Sequence, residues 1–446
     1  MSRALAGLVI PALCCSPIAQ AGKPAQVPPP TPATIEATDE GTVIRIPGMK
    51  SLTISGQYRI RWEDRIDFDF NDNGGVNEDF FTQRVRLNLA PEFTETLSAF
   101  IQLQDAREWG EELSTLDDSA DGLDLHQAFV LVDEFPYLSG TGKIGRQEAE
   151  LGEQRLISSL QWATQARAFS GYRHTWWTED RGLSIDGFFF QTAEMPRNGV
   201  NDDAFFAGVY GSGFPGEDTV IDVYALHLDN RQTMAGGTEQ RTTFGTRFVQ
   251  QISDFELGIE VATQVGEVNG ADIPIGDTYA GHARAAYRPR DIAGKPWIQA
   301  ELNLASGNRP GTSDNERFNG LFAFAHKYWG YMDLAQWENL QHASVQAGFK
   351  PGEKSTLAVF WHSFRAMEPT DRFGGPNGNL STGAAGQSRD MGHEIDVQFV
   401  QELETAPLVS FLEAGYGVFI PGSGTEQAQG ANDLAHFAYV QADFRF

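Results

Sequence analysis

The chain ends in Ala438-Tyr439-Val440-Gln441-Ala442-Asp443-Phe444-Arg445-Phe446, in which apolar and polar side chains alternate. One row of alternate residues is apolar: Ala438, Val440, Ala442, Phe444 and Phe446. The opposite row holds Gln441, Asp443 and Arg445. Side chains of a β-strand point alternately to its two faces, so one face is apolar and the other polar. A terminal phenylalanine on such a strand is typical of bacterial outer-membrane β-barrels, whose strands face lipid on one side and a watery lumen on the other. The alternative is the edge strand of a soluble β-sandwich.

The same alternation begins at Leu52 and continues to Glu63. Its polar row contains Arg59 and Arg61, and the polar row of the next strand contains Arg84 and Arg86. Unpaired charges in a packed protein core cost several kcal/mol each, which makes two adjacent arginine-bearing rows difficult to bury there. A hydrated lumen removes that cost, so the arginines favour a barrel over a sandwich.

The periodicity predicts an all-β fold, a transmembrane antiparallel β-barrel of about eighteen strands. The predicted strands are 51–64, 80–89, 96–105, 123–132, 141–147, 168–176, 182–191, 204–210, 219–228, 241–250, 254–264, 279–288, 296–305, 338–350, 354–364, 391–400, 408–419 and 435–446. Short links such as 351–353 alternate with long ones such as 106–122, 148–167 and 306–337. Short periplasmic turns alternating with long extracellular loops are the pattern of outer-membrane barrels.

The remaining chain suggests export to the outer membrane of a Gram-negative-type bacterium. Residues 1–21 resemble a signal peptide ending in Ala19-Gln20-Ala21, and residues 22–50 form a proline-rich periplasmic lead-in before a barrel at 51–446. The only cysteines, Cys14 and Cys15, lie in the predicted signal peptide, so the mature chain has no thiol chemistry. No later stretch is apolar enough for a transmembrane helix.

The formal net charge of −27 excludes a nucleic-acid-binding protein of the usual basic kind. Many of the acidic residues fall in the predicted outer loops 65–79 and 106–122, whereas several strands place arginine in the lumen. A second group of basic residues, Lys143, Arg146, Arg155, Arg167 and Arg173, follows in 143–173. Guanidinium groups bind carboxylates in pairs of hydrogen bonds, so this region could concentrate anions. The alternative is a structural set of ion pairs with Glu148, Glu150 and Glu153.

Two long motifs in this chain resemble the alginate export porin family. The first runs from Gly145-Arg146-Gln147 through Leu151-Gly152-Glu153-Gln154-Arg155-Leu156-Ile157 to Arg167-Ala168-Phe169. The second is His326-Lys327-Tyr328-Trp329-Gly330-Tyr331-Met332-Asp333-Leu334 with Trp337-Glu338-Asn339-Leu340. Shorter matches occur in order from about Tyr58 to the C-terminus. Two positions depart from the family pattern: Ser170 replaces an acidic residue, and Glu153 replaces the usual aspartate.

The resemblance implies a monomeric eighteen-stranded barrel that exports an anionic polyuronate, with periplasmic export machinery as a further expected partner. It makes eight arginines the candidate substrate path: Arg59, Arg61, Arg84, Arg86, Arg107, Arg146, Arg155 and Arg167. The two departures leave the exact polymer open. A general porin for small anions or sugars is the first alternative, and a barrel enzyme or a secreted glycan-binding protein are the others.

Four further interpretations rest on the residues. Asp69, Asn71 and Asn73 have the spacing of the first half of an EF-hand loop, which predicts a weak calcium site, but the terminal glutamate is missing. The run Phe188-Phe189-Phe190 is interpreted as part of an aromatic belt at the membrane interface. No enzyme motif is evident, and we expect neither a catalytic site nor a required cofactor. Scattered histidines are interpreted as hydrogen-bonded lumen or belt residues.

Overall fold

The computed structural model describes most of the chain after residue 33. The described residues are 34–38, 41–45, 48–71, 77–110, 123–135, 139–180, 182–193, 204–231, 238–268, 273–381, 386–405 and 408–446. The predicted signal peptide and the first part of the lead-in lie outside them, as does most of the acidic loop 106–122. No described helix is long and apolar enough to cross a membrane.

The described residues form a closed antiparallel barrel of eighteen strands with a few short elements around it. A hairpin of β1 (Thr34–Thr38) and β2 (Gly41–Arg45) precedes the barrel and pairs with the start of its first strand. The elements that follow are β3 (Ser51–Ile66), β4 (Glu78–Glu92), β5 (Leu97–Glu108), β6 (Asp124–Val132), β7 (Thr141–Gln147), β8 (Phe169–Trp177), β9 (Leu183–Ala193), β10 (Ala204–Gly216), β11 (Thr219–Asn230), β12 (Glu239–Ile252), β13 (Phe255–Val268), β14 (Ile273–Ile275), β15 (Ala280–Tyr287), β16 (Trp297–Ala305), α1 (Ala325–Tyr328), β17 (Leu340–Gly352), β18 (Ser355–Ala366), β19 (Phe373–Gly375), β20 (Gly378–Ser381), β21 (Asp390–Thr405), β22 (Leu408–Pro421), α2 (Ser423–Gln429) and β23 (Ala435–Arg445).

The barrel consists of all strands from β3 onward except β14, β19 and β20. Each strand pairs with its neighbours in sequence, and the last strand, β23, closes the barrel by pairing with β3. The register of this closing seam runs from His436 opposite Ile66 to Arg445 opposite Gln57. Closure leaves no free edge between the first and last strands over this length. All eighteen predicted strands are present, so the predicted fold is confirmed.

The alternation of side chains sorts the barrel into an apolar outside and a polar inside. Val223, Ile259 and Leu302 face outward and are more than half exposed. On β16, the intervening residues Glu301 and Asn303 face the lumen and are buried. Side chains from the two rows therefore meet different surroundings, which is what the period of two predicts.

Turns and long links alternate between the two ends of the barrel. At one end, which we call the turn end, residues 217–218, 253–254 and 353–354 each connect two strands. At the other, the loop end, the links include 148–168 and 306–339. These two links fold into the barrel and meet there: Phe322 N donates to Leu156 O at 3.0 Å, and Phe324 N donates to Gln154 O at 3.1 Å. We call them the first inward segment (148–168) and the second inward segment (306–339).

Two sequence-based expectations need correction. The predicted strand 204–210 ends too early, because β10 continues through Gly211, Gly213 and Pro215 to Gly216, residues that usually indicate a turn. Within the run Phe188-Phe189-Phe190 of the predicted aromatic belt, only Phe189 faces outward. Phe188 and Phe190 face the lumen, where Phe190 stacks on Phe169 of β8 with 5.2 Å between ring centroids. They pack there because the inward segments supply Phe322 as an apolar partner for this cluster.

Candidate functional site

Four of the eight candidate arginines lie together on the lumen side of β3 and β4. Arg59 is directly opposite Arg84 in the register, Arg61 lies one step toward the loop end, and Arg86 one step toward the turn end. All four are buried. What covers them is the second half of the first inward segment, residues 158–167, which we call the strap.

The strap presents backbone carbonyls to these arginines. Arg59 donates to the carbonyls of Gln161, Trp162 and Ala163 at 2.7, 3.3 and 3.2 Å. Arg84 donates to the carbonyls of Gln161 and Ala163, both at 3.4 Å. Three consecutive carbonyl oxygens thus fit against two guanidinium groups, because a guanidinium offers five donors and no acceptor. The strap is held to the wall mainly through its backbone.

The arginines differ in whether a carboxylate balances their charge. Arg61 pairs with Glu63 at 2.6 Å and Arg86 with Glu148 at 3.3 Å. Within the part of the chain that the structure describes, no carboxylate lies within 4.0 Å of Arg59, Arg84 or Arg167. Arg167 instead donates to the carbonyls of Phe322 at 2.6 Å and Ser158 at 3.3 Å. Burial lowers the pKa of Arg167 only to about 10, so it is protonated at neutral pH.

The first half of the same segment, the tip (150–157), is held by charge. Glu153 accepts hydrogen bonds from both terminal nitrogens of Arg284, at 2.9 and 3.1 Å, and from Arg247 at 3.2 Å. Arg155, another candidate path residue, is fully buried and pairs with Glu301 at 3.2 Å. Burial alone would raise the pKa of Glu153, but Arg284, Arg155 and Arg247 lower it from 4.5 to about 2. The tip is therefore fixed by ion pairs, in contrast to the strap.

The second inward segment is fixed to the wall at β21, three strands from β3 around the barrel, and there the carboxylate belongs to the wall. Met332 N donates to the carboxylate of Glu394 on β21 at 2.9 Å. The two inward segments meet in a column of stacked rings. The ring centroids of Trp162 in the strap and His326 are 3.7 Å apart, and those of His326 and Tyr331 are 4.9 Å apart. The guanidinium of Arg61 stacks on the same Trp162 ring at 3.8 Å. The column joins the arginine wall to the second inward segment.

A cavity of about 940 Å³ lies between the strap, the second inward segment and the loop end of β3 to β5. Its lining mixes both signs of charge: Arg61, Arg65 and Arg167 on one hand, and Glu78, Asp79 and Glu338 on the other. Burial raises the pKa of Glu338. Strap residues Trp162 to Gln165 form part of its wall, and Thr164 among them is buried.

Two candidate path residues lie apart from the buried arginines of β3 and β4. Arg107 is among the residues that line the loop end of the cavity, but on β5 it lies in the row of Ile101 and Leu103, opposite to the lumen row of Gln102 and Gln104, and it pairs with Asp105. Arg146 is half-buried between Ala128 and Ser170 in the ladder and follows the parity of the exposed Ile144. Their role in a substrate path stays a prediction, as does that of the others.

The predicted calcium site also stays untested, because Asn73 lies outside the described residues and only Asp69 and Asn71 lie inside them. Among described residues, no cluster of three or more His, Cys, Asp or Glu is arranged to hold a metal.

A row of hydrogen-bonded lumen residues was missed by the sequence analysis. The side-chain amide of Asn303 lies 2.9 Å from Nδ1 of His282 on one side and 2.9 Å from Nδ1 of His342 on the other. From His342 the row continues, with 2.9 Å between its Nε2 and Nδ1 of His362. It ends with 3.5 Å between Nε2 of His362 and the carboxylate of Asp396. Each comes from a different strand, so only the shared lumen parity could have suggested that they meet. Arg155 donates to Asn303 at 3.2 Å, so the row connects the tip to the carboxylates of β21.

Comparison with known proteins supports both the fold and the family. The family model described as alginate export matches residues 50–438. No curated protein matches the sequence of this chain.

Several solved structures share the barrel at low sequence identity. The Acinetobacter baumannii OccAB2 structure has a TM-score of 0.60 at 11% identity, covering 89% of this chain and 98% of that one. The structure of Pseudomonas aeruginosa OpdK with vanillate has a TM-score of 0.59 at 13% sequence identity, and the match covers 89% of this chain and 98% of that one. The structure of Pseudomonas aeruginosa OccD3 (OpdP) has a TM-score of 0.58 at 13% sequence identity, and the match covers 88% of this chain and 91% of that one. At these identities the likeness concerns the fold alone.

Proposed function

The chain belongs to the alginate export family, and from this premise we propose that its barrel passes an anionic polysaccharide, an alginate-like polyuronate, across the outer membrane. The family and the barrel indicate a transport channel of the outer membrane of a Gram-negative-type bacterium rather than an enzyme. The proposal concerns the substrate and the residues that it meets.

One observation carries the proposal: among the described residues, three buried arginines have no directly paired carboxylate. Arg59, Arg84 and Arg167 contact backbone carbonyls, and among described residues none has a carboxylate within 4.0 Å. A carbonyl is a dipole and cannot cancel a unit charge, so this part of the lumen attracts anions. In a narrow passage with low-dielectric walls, such a field raises the local concentration of anions.

The mechanism is electrostatic and distributed. A polyuronate carries one carboxylate on each sugar, and each carboxylate exchanges part of its water shell for guanidinium contacts. Binding must be favourable enough for the chain to enter and weak enough at each site for it to leave. Successive arginine steps along β3 and β4, from Arg61 through Arg59 and Arg84 to Arg86, provide several such sites.

The alternative is a general porin for the uptake of small anions or sugars. It is favoured by the likeness of the fold to OpdK, whose structure was solved with vanillate, and by the inward segments that occupy the lumen. Both functions use the same positive lumen, so they differ in the size of the solute that passes.

Planar-bilayer recordings of the purified protein test the proposal. We expect sodium alginate to reduce the ion current at concentrations at which neutral dextran of similar length has no effect. Arg84→Gln should weaken this block, whereas Arg173→Gln should not, because Arg173 lies on β8 and pairs with Asp186 at 2.7 Å. If alginate leaves the current unchanged while glucuronate crosses proteoliposomes containing the protein, the small-anion porin is the better description.

The other expected partners remain part of the proposal. We expect the barrel to act as a monomer surrounded by outer-membrane lipid, with periplasmic export machinery supplying the polymer. Calcium binding at Asp69, Asn71 and Asn73 would be an accessory feature of the loop end, and calorimetry of Asp69→Ala against the unchanged protein would test it.

A further inference from the structure

The strap and the tip belong to one segment, but they are fixed by bonds of different kinds. At the tip, Glu153 bonds with Arg284 and Arg247, and Arg155 with Glu301, so each partner is charged. In the strap, Gln161, Trp162 and Ala163 offer neutral carbonyls to Arg59 and Arg84. The guanidinium donor is ionised in both cases, but only a carboxylate acceptor also carries the opposite unit charge and can accept from two guanidinium nitrogens at once.

This difference decides which part a negatively charged ligand can displace. A carboxylate arriving at Arg59 and Arg84 replaces a neutral acceptor with an ionised one, and it also supplies the counter-charge that these buried arginines lack. At the tip, an arriving carboxylate would only exchange one ionised acceptor for another. The strap is therefore the part of the segment that an anion can displace.

The position of the strap makes its displacement consequential. It lies between the arginine wall and the cavity of about 940 Å³, and its residues Trp162 to Gln165 form part of the wall of that cavity. Its ring column with His326 and Tyr331 closes the space toward the second inward segment. Outward movement of residues 161–163 would join Arg59 and Arg84 to the cavity, which Arg61 already lines.

From these contacts we infer that the strap is a gate opened by the substrate: carboxylates of the passing polymer take the places of the carbonyls of Gln161, Trp162 and Ala163 on Arg59 and Arg84. The tip stays bound and acts as the fixed end about which the strap moves. This gate deepens the proposed function, on which it rests, because it assumes that a polyanion enters the lumen.

A single cysteine can report on the gate. Thr164 is buried in the strap, its side chain makes no hydrogen bond recorded among described residues, and the only cysteines of the chain are Cys14 and Cys15. We would introduce Thr164→Cys into the full chain with Cys14 and Cys15 replaced by serine, and measure labelling by a charged maleimide. Ser184→Cys is the matched control, because Ser184 is equally buried on the lumen side of β9 and lies outside the strap.

Sodium alginate should speed the labelling of Thr164→Cys several-fold, and dextran should not. Labelling of Ser184→Cys should stay slow in both. Adding Arg84→Gln should speed the labelling of Thr164→Cys without any polymer, because the strap loses two of its hydrogen bonds. Both cysteine variants are first checked for the gel shift of a folded barrel.

The block of current by alginate, measured on the same preparations, separates the two claims. If alginate blocks the current but labelling at position 164 is unchanged or slower, the gate is wrong and the proposed function stands. If alginate neither blocks the current nor alters labelling, the proposed function fails and the gate fails with it.

Discussion

Arginine side chains serve two purposes inside this barrel, and their partners decide which. Arg284 bonds to the carboxylates of Glu153 and Glu256 and so holds a structural element in place. Arg59 bonds to three carbonyls and keeps its positive charge available to a ligand. The residue type alone does not distinguish the two purposes, because both arginines lie in lumen-facing rows of their strands.

At this scale, Glu153→Gln should destabilise the barrel measurably. Breaking a buried ion pair by neutralising one partner costs 3–5 kcal/mol, and we expect roughly 2–3 kcal/mol here because the groups are partly exposed to the lumen. Thermal unfolding in detergent measures the loss. Glu150→Gln is the control, because among the described residues the hydrogen bonds of Glu150 are with the neutral groups of Ser159 and Gln154. Equal losses in the two variants would contradict the role of the Glu153 ion pairs.

The same glutamate predicts a pH dependence. The pKa of Glu153 is lowered from its ordinary value of 4.5 to about 2 in the folded protein. A depressed carboxyl pKa contributes stability that is present above the unfolded value and is lost as the pH falls through the folded value. The stability difference between the unchanged protein and Glu153→Gln should therefore be full above about pH 5 and shrink toward pH 2. A difference that is constant over this range would contradict the assignment.

At the scale of elements, the barrel depends on the seam between β3 and β23. The last residue extends this seam: Gly56 N donates to Phe446 O at 2.8 Å, and Phe446 N donates to Gly56 O at 3.2 Å. The Phe446 ring occupies the space that a Cβ on Gly56 would need. A single terminal residue thus supplies two hydrogen bonds and an aromatic contact at the point of closure.

Deleting Phe446 should weaken this closure. Two backbone hydrogen bonds are lost, each worth about 1 kcal/mol, together with the ring contact. We expect the gel band of the folded barrel to convert to the unfolded position at a lower temperature than in the unchanged protein. Phe446→Tyr keeps the backbone and the ring and serves as the control. A deletion variant with an unaltered transition temperature would show that the seam does not need this residue.

The strands could be predicted from the sequence because each one meets lipid on one face and water on the other. The alternation placed all eighteen, and β7 was correct to the residue. The end of β10 was missed because glycine and proline within a strand look the same in the sequence as glycine and proline in a turn. The short and long links were also predictable, since their lengths follow directly from the strand bounds.

The inward segments could not be predicted in the same way. Their contacts with Arg59 and Arg84 use backbone carbonyls, which every residue possesses, so no side-chain pattern marks residues 161–163. Phe188 and Phe190 were assigned to the membrane side because the apolar cluster that they join with Phe169 and Phe206 is completed by Phe322, which comes from a link distant in sequence. The arginines were identified, but which of them are neutralised depends on contacts that only the folded chain shows.

At the scale of the whole molecule, a chain of net charge −27 carries a cluster of four buried arginines on the lumen side of β3 and β4. The two facts are compatible, because exposed charges more than about 8 Å apart are largely screened at physiological ionic strength, whereas buried groups are screened much less. The acidic residues of the loop end therefore influence anions mainly at low salt. We propose that selectivity is set at Arg59, Arg84 and Arg167, which have no carboxylate within 4.0 Å among the described residues.

The reversal potential of the purified channel, measured across a salt gradient at high ionic strength, tests this claim most directly. The account predicts that the channel selects anions in spite of its net charge. It also predicts that Arg59→Gln with Arg84→Gln moves the reversal potential toward that of a cation-selective pore, while Arg173→Gln leaves it in place. A channel that selects cations at high salt, or a double variant whose reversal potential is unchanged, would contradict it.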